Sequence, residues 1–186
     1  MLPRGVAVRV VEGDLLQVAL DGRGAIVNPA NAHGVMGGGV AGAIRRAGGP
    51  AIEEEARKRS PIALGAALLT TAGTLAFHGV IHAPTMVHPG GDADAQAVRE
   101  ACRAAVKLAH AERLDSLAFP GMGTGTGGLE PTKAARAMLR GIAEGLRDAG
   151  APPPTAVVLV AYDDRLRAAF EEALRLEEVP SAGAPP

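Results

Sequence analysis

Apolar and polar positions follow two different periods along this chain, and the switches between them mark out its elements. Residues 6–11 are apolar and β-branched apart from Arg9, and they end at Glu12-Gly13-Asp14, the pattern of a strand entering a turn. Ala25-Ile26-Val27-Asn28, bounded by Gly24 and Pro29, predicts a second, buried strand. Val40, Ala43, Ile44 and Ala47 then recur at helical spacing and stop at Gly48-Gly49. Pro50 opens a further short helix to about Arg59. Two β-type runs, 66–71 and 75–83, flank Ala72-Gly73-Thr74 and predict a hairpin whose second strand ends at Pro84.

The helical period returns at Val98, Ala101, Cys102, Ala105 and Ala109, with Asp92 or Asp94 as the N-cap. Ser116-Leu117-Ala118-Phe119 is a buried strand closed by Pro120. Ala135, Met138, Leu139, Ile142 and Leu146 form another stripe, with Pro131 in the first turn. Pro152-Pro153-Pro154 connects to a last strand over 157–161, and a final helix follows Asp163 and Asp164. Strands alternating with helices predict an α/β fold with a sheet covered on both faces, and the hairpin makes that sheet mixed. No second-domain boundary interrupts 1–176, and 177–186 reads as a disordered tail.

Composition narrows the function. The 186 residues carry 19 Lys and Arg against 20 Asp and Glu, so general nucleic-acid binding through a basic surface is not expected. Only 2% of the chain is aromatic, which excludes a base-stacking single-strand binder. The single Cys102 forms no internal disulfide, fitting a reducing cytoplasm. No signal peptide or membrane segment is evident, so a cytoplasmic protein without membrane association is the expectation.

Glycine carries the main signal. Of 25 glycines, ten fall in two stretches: Gly34, Gly37, Gly38, Gly39 and Gly42, then Gly121, Gly123, Gly125, Gly127 and Gly128. Each stretch follows a predicted strand and precedes a predicted helix. Loops there line the ligand crevice of an open α/β sheet, and glycine lets backbone N–H groups approach a phosphate beside a helix N-terminus. Two such loops suggest a clamped diphosphate. Both also match Gly-x-Gly-x-x-Gly by letter, so a Rossmann-type NAD(P) oxidoreductase is an alternative, although neither loop follows the first strand. No P-loop motif is present.

The order Val-Val-Glu-Gly-Asp14-Leu, Ala-Ile-Val-Asn28-Pro-Ala-Asn31, Gly37-Gly38-Gly39-Val-Ala-Gly-Ala-Ile resembles the macro domain family. The resemblance continues through Gly79-Val80-Ile81-His82-Ala83-Pro84 and Leu117-Ala118-Phe119-Pro120-Gly-Met-Gly-Thr-Gly-Thr-Gly-Gly128, spanning about 6–175. It implies a three-layer α/β/α fold with a mixed central sheet and a site for ADP-ribose or an ADP-ribosylated macromolecule. Asp14, with Leu15 beside it, would meet adenine, and Tyr162 would pack against the ring. Gly37, Gly38, Gly39 and Val40 would face the diphosphate with Gly121, Gly123, Thr124, Gly125, Thr126 and Gly127. Asn31 would hold the distal ribose and is the candidate catalytic residue, while Asn28 is expected to hold its loop by side-chain to backbone bonds.

Two departures bear on catalysis. Many catalytically active relatives carry Asp after Gly-Gly-Gly-Val, where this chain has Ala41. The second loop has Gly127 where an aromatic ring commonly encloses the distal sugar. A binder is therefore the first reading, and a hydrolase acting at the distal ribose of ADP-ribose-1″-phosphate, O-acetyl-ADP-ribose or ADP-ribosylated protein is the alternative. No cofactor or metal is expected. His33 is a second, weaker catalytic candidate because its loop lies between Asn31 and Gly37. His82 reads as packed, Cys102 as a core residue, and the charge run 53–59 as a solvated helix face.

Overall fold

Short runs of Val, Ile, Leu and Ala become the strands of one sheet, and the stripes of helical period become the layers that cover it. The computed structural model describes residues 2–3, 5–150 and 154–178. Among these, the strands are β1 (Ala7–Glu12), β2 (Gly24–Asn31), β3 (Leu68–Thr70), β4 (Gly79–Met86), β5 (Ser116–Phe119) and β6 (Ala156–Ala161). The helices are α1 (Gly39–Gly48), α2 (Ala51–Lys58), α3 (Ala95–Ala111), α4 (Pro131–Asp148) and α5 (Asp164–Glu178). Strand order is β1-β6-β5-β2-β4-β3, with every pairing parallel except antiparallel β3–β4. This is the mixed, three-layer α/β/α architecture expected.

Alternation along the central strands divides the core. Val157, Leu159 and Ala161 of β6 pack toward α3, α4 and α5, whereas Val158 and Val160 face the layer containing Leu15, Ile44 and Ile52. The helix ends follow capping chemistry. Asp94 accepts from the Ala97 amide at 2.7 Å, which decides between the two predicted caps of α3, and Asp163 accepts from Leu166 at 2.8 Å.

Several boundaries differ from the sequence reading. Proline does not end β2 or β4: Pro29 and Pro84 both lie inside strands. Each sits where one edge of its strand has run out of partner, β5 pairing with β2 only up to Ile26 and β3 with β4 only over 80–82. A missing N–H removes no ladder bond there. The hairpin strands are also shorter and joined by 71–78 instead of a tight turn. A short 3₁₀ turn, Leu15–Gln17, was not anticipated. Helix α5 continues to Glu178, so the first two residues of the expected 177–186 tail are helical, while 179–186 and the first two residues of the triple-proline connector lie outside the described residues. No helix among the described residues is long and apolar enough to cross a membrane.

Candidate functional site

The parallel strands β1, β6, β5 and β2 end on the same side of the sheet, and the site gathers there. Beyond Ile26–Ala118, β2 and β5 part. The chain leaving β2 enters α1, whose Ala41 and Ile44 pack on one face of the sheet; the chain leaving β5 enters α4 on the other. Adjacent strands whose connections depart to opposite faces open a crevice, the place where ligands bind in open α/β sheets.

Two neighbouring cavities occupy it. The larger, about 360 Å³, is lined by Gly13, Asp14, Leu15, Leu16, Val40, Ala43, Pro120, Val160 and Tyr162. Gly13 donates to Ala161 at 2.8 Å, so the ends of β1 and β6 bring Asp14 and Tyr162 to one cleft across more than half the sequence. Asp14 caps the 3₁₀ turn, accepting from the Leu16 amide at 2.8 Å through one oxygen. Its second carboxylate oxygen remains for another donor. Tyr162 is 61% exposed, an open lip to an otherwise apolar cleft.

The smaller cavity, about 80 Å³, lies between the glycine loops and shares Val40 with the first. Gly38, Gly39, Val40 and Ala41 line one side, Gly121, Gly123, Gly125, Thr126 and Gly127 another, with Pro29, Thr85 and Met86. The first helical bond of α1 runs from Gly42 to Gly38, so the amides of Gly39, Val40 and Ala41 have no acceptor within the helix. They offer donors and the positive helix end to an anion. Gly39 has φ +57°, and a side chain there would be strained even though the space beside it is open.

Gly127 does not leave a gap. A Cβ on it would come within 2.7 Å of Ala93 Cβ and 2.9 Å of the Gly123 carbonyl, and the Ala93 amide donates to Gly127 at 3.1 Å. The turn before α3 packs against this position, so any side chain here would require that turn or the loop to shift.

Other anticipated residues fall elsewhere. Asn31, His33 and Gly37 line neither cavity. Asn31 takes the loop-holding role expected of Asn28: its Nδ2 donates to Val35 at 2.8 Å, and its Oδ1 accepts from His33 and Val35 at 3.1 and 3.2 Å. One N–H of the carboxamide remains. His33 is exposed and stacks on His88, their rings 5.3 Å apart. Thr124 donates to the Gly121 carbonyl and lines a separate depression that shares Tyr162.

Asn28 instead joins a buried network. Thr70 Oγ1 donates to the Thr71 carbonyl, so it accepts from His82 Nε2, and His82 Nδ1 accepts from Asn28 Nδ2 at 3.1 Å. The pattern requires a neutral imidazole, and burial pushes its pKa down to about 4, with Arg59 adding to the effect. Strands β2, β3 and β4 are thereby cross-linked beneath the site.

The run 53–59 is more than a solvated face. Glu53 accepts from the Met36 amide at 2.9 Å and pairs with Arg45, tying α2 to α1 and to the start of the first glycine loop. The Met36 hydrogen bond, helped by Arg45, holds its carboxyl below the usual range. Glu55 accepts from Thr71, and Arg59 donates to Leu69. No motif reveals Glu53, because its partner is a backbone amide. Glu53→Ala is expected to cost about 1–3 kcal/mol, the range for a charged group bonded to a buried donor. An unchanged urea midpoint would remove Glu53 from holding the loop.

An α/β domain with a glycine-lined crevice at its parallel strand ends is what fold and site define. The chain belongs to the Macro domain family, whose model matches residues 27–138. An uncharacterized protein of Aquifex aeolicus is 47% identical over 91% of this chain and 98% of its own. The O-acetyl-ADP-ribose deacetylase of Salmonella gallinarum is 36% identical over 84% of this chain and 88% of its own. Among solved structures, the Trypanosoma brucei macrodomain in complex with ADP-ribose superposes with a TM-score of 0.74 at 27% identity, covering 92% of this chain and 69% of that one.

Proposed function

We propose that this protein binds ADP-ribose, free or attached to a macromolecule, in a cytoplasmic setting. The observation that carries the reading is the pair of cavities meeting at Val40. One is an apolar cleft with a carboxylate and a phenol at its edges, suited to adenine; the other is ringed by helix-start amides and glycine, suited to a diphosphate. The solved Trypanosoma brucei complex with ADP-ribose supports the same ligand. The buried, unpaired Cys102 is consistent with a reducing compartment.

Calorimetry with ADP-ribose, NAD and ATP tests it, and tighter binding of NAD than of ADP-ribose would overturn it. Asp14→Ala is expected to weaken ADP-ribose binding by about 1.5–3 kcal/mol, the range for a hydrogen bond to a charged group. Unchanged affinity would take Asp14 out of the site. Since Tyr162 is the single tyrosine and there is no tryptophan, its fluorescence is a built-in reporter at the edge of that cleft.

Hydrolysis at the distal ribose is the second reading, favoured by the 36% identity to O-acetyl-ADP-ribose deacetylases. With Ala41 in the first turn of α1, the ligand's own phosphates would have to assist the attacking water. Release of ADP-ribose from O-acetyl-ADP-ribose above the buffer rate distinguishes an enzyme from a binder.

A further inference from the structure

Among the described residues, two buried side-chain atoms have no hydrogen-bond partner, Asn28 Oδ1 and Thr85 Oγ1. Buried polar atoms are nearly always paired, so each orphan asks for a reason. Asn28 lines neither cavity, and its amide is committed to His82. Thr85 is different. It is 1% exposed, yet it lines the small cavity between the glycine loops.

The backbone accounts for its position. Strands β2 and β4 stay in step from Ala25–Gly79 to Ala30–Pro84, and then Asn31 pairs with Met86. Thr85 is the residue left over, a bulge. Bulges re-aim side chains and favour the surroundings of sites. Thr85 and Met86, adjacent in sequence, both line the same cavity, which the two-residue period of an unbroken strand does not allow for side chains. Packing alone asks for no hydroxyl here, since valine has the same shape and suits a strand.

We propose that Thr85 determines ligand specificity, its hydroxyl taking a hydroxyl of the sugar beyond the diphosphate. The assignment rests on the ADP-ribose-binding reading. The free amides of α1 only donate, which suits phosphate oxygens; a threonine hydroxyl both donates and accepts, which suits a sugar hydroxyl. Thr85 also lies on the far side of Val40 from Asp14 and Tyr162, beside the Met86 that pairs with Asn31. A ligand with its adenine in the larger cleft brings its distal sugar to this end.

The test measures ADP-ribose and ADP binding by calorimetry for the wild type, Thr85→Val and Thr85→Ser, alongside thermal melts. Thr85→Val is expected to lose about tenfold in ADP-ribose affinity while ADP changes by less than about twofold. Its melting temperature is expected to rise by about 2–4 °C, because an unpaired buried hydroxyl is gone. Thr85→Ser is expected to keep ADP-ribose affinity, and Thr85→Ala serves as the hydroxyl-free variant if valine prevents folding. Unchanged ADP-ribose affinity without the hydroxyl, or an equal loss for ADP, would overturn the assignment. A wild-type protein that takes up no ADP-ribose would overturn the binding reading itself, and the two failures are told apart by that control.

Discussion

Ala41→Asp is expected to raise the release of ADP-ribose from O-acetyl-ADP-ribose by about 100-fold, within the range a positioned general base supplies. Ala41 sits in the first turn of α1 and lines the cavity between the two glycine loops. A carboxylate there would border the cavity that Thr85 and Gly125–Gly127 also line, the end at which the distal sugar is proposed to sit. The positive end of the helix would keep it ionised at neutral pH, ready to orient and deprotonate water. The same charge would repel the diphosphate, so ADP-ribose binding should weaken as turnover rises. Ala41→Asn has nearly the same volume without the charge and should gain nothing. A folded, ligand-binding Asp variant no faster than wild type would show that the missing carboxylate does not limit hydrolysis.

Stability is expected to fall by about 3 kcal/mol as pH drops from 6.5 to 4, the free-energy equivalent of the His82 shift. The sign follows from the two states. His82 is buried neutral with its pKa pushed down to about 4, whereas in the unfolded chain it protonates near 6.5. Below 6.5 the unfolded state therefore binds a proton that the native state refuses, and each step down in pH favours unfolding until the folded pKa is reached. Carboxylates held low by their partners, among them Glu53 and the α4 residue Glu144 bonded by Arg99 of α3, act in another window: their stabilisation is present above about 4.5 and is lost as pH falls below it. Urea midpoints between pH 7 and 4.5 thus isolate the histidine. His82→Gln should flatten that slope while lowering stability at pH 7, since the Thr70 and Asn28 bonds are disturbed. A wild-type midpoint that stays level over this range would mean that His82 is not held neutral.

Much of the fold was legible because local rules governed it. The β5 run stops at Phe119 before Pro120, α1 ends at Gly48-Gly49, and Pro131 opens α4, each boundary set by backbone chemistry its own residues carry. Prolines 29 and 84 misled, because whether a proline ends a strand depends on whether a neighbouring strand needs its N–H. The site divides in the same way. Its glycine loops, Asp14 and Tyr162 were visible as residue types at strand ends, and the cavities contain most of them.

The sequence by itself determined the alternation of strands and helices, the two glycine loops and the family, since these depend on spacing along the chain. Only the tertiary structure decided which polar groups are already spent. It showed Asn31 closing its own loop, Glu53 holding a backbone amide, Gly127 pressed by Ala93, and Thr85 left without a partner at a bulge. The physical reason is that a hydrogen bond or a close contact joins residues far apart in the chain. Its availability to a ligand is settled by what else has packed against it.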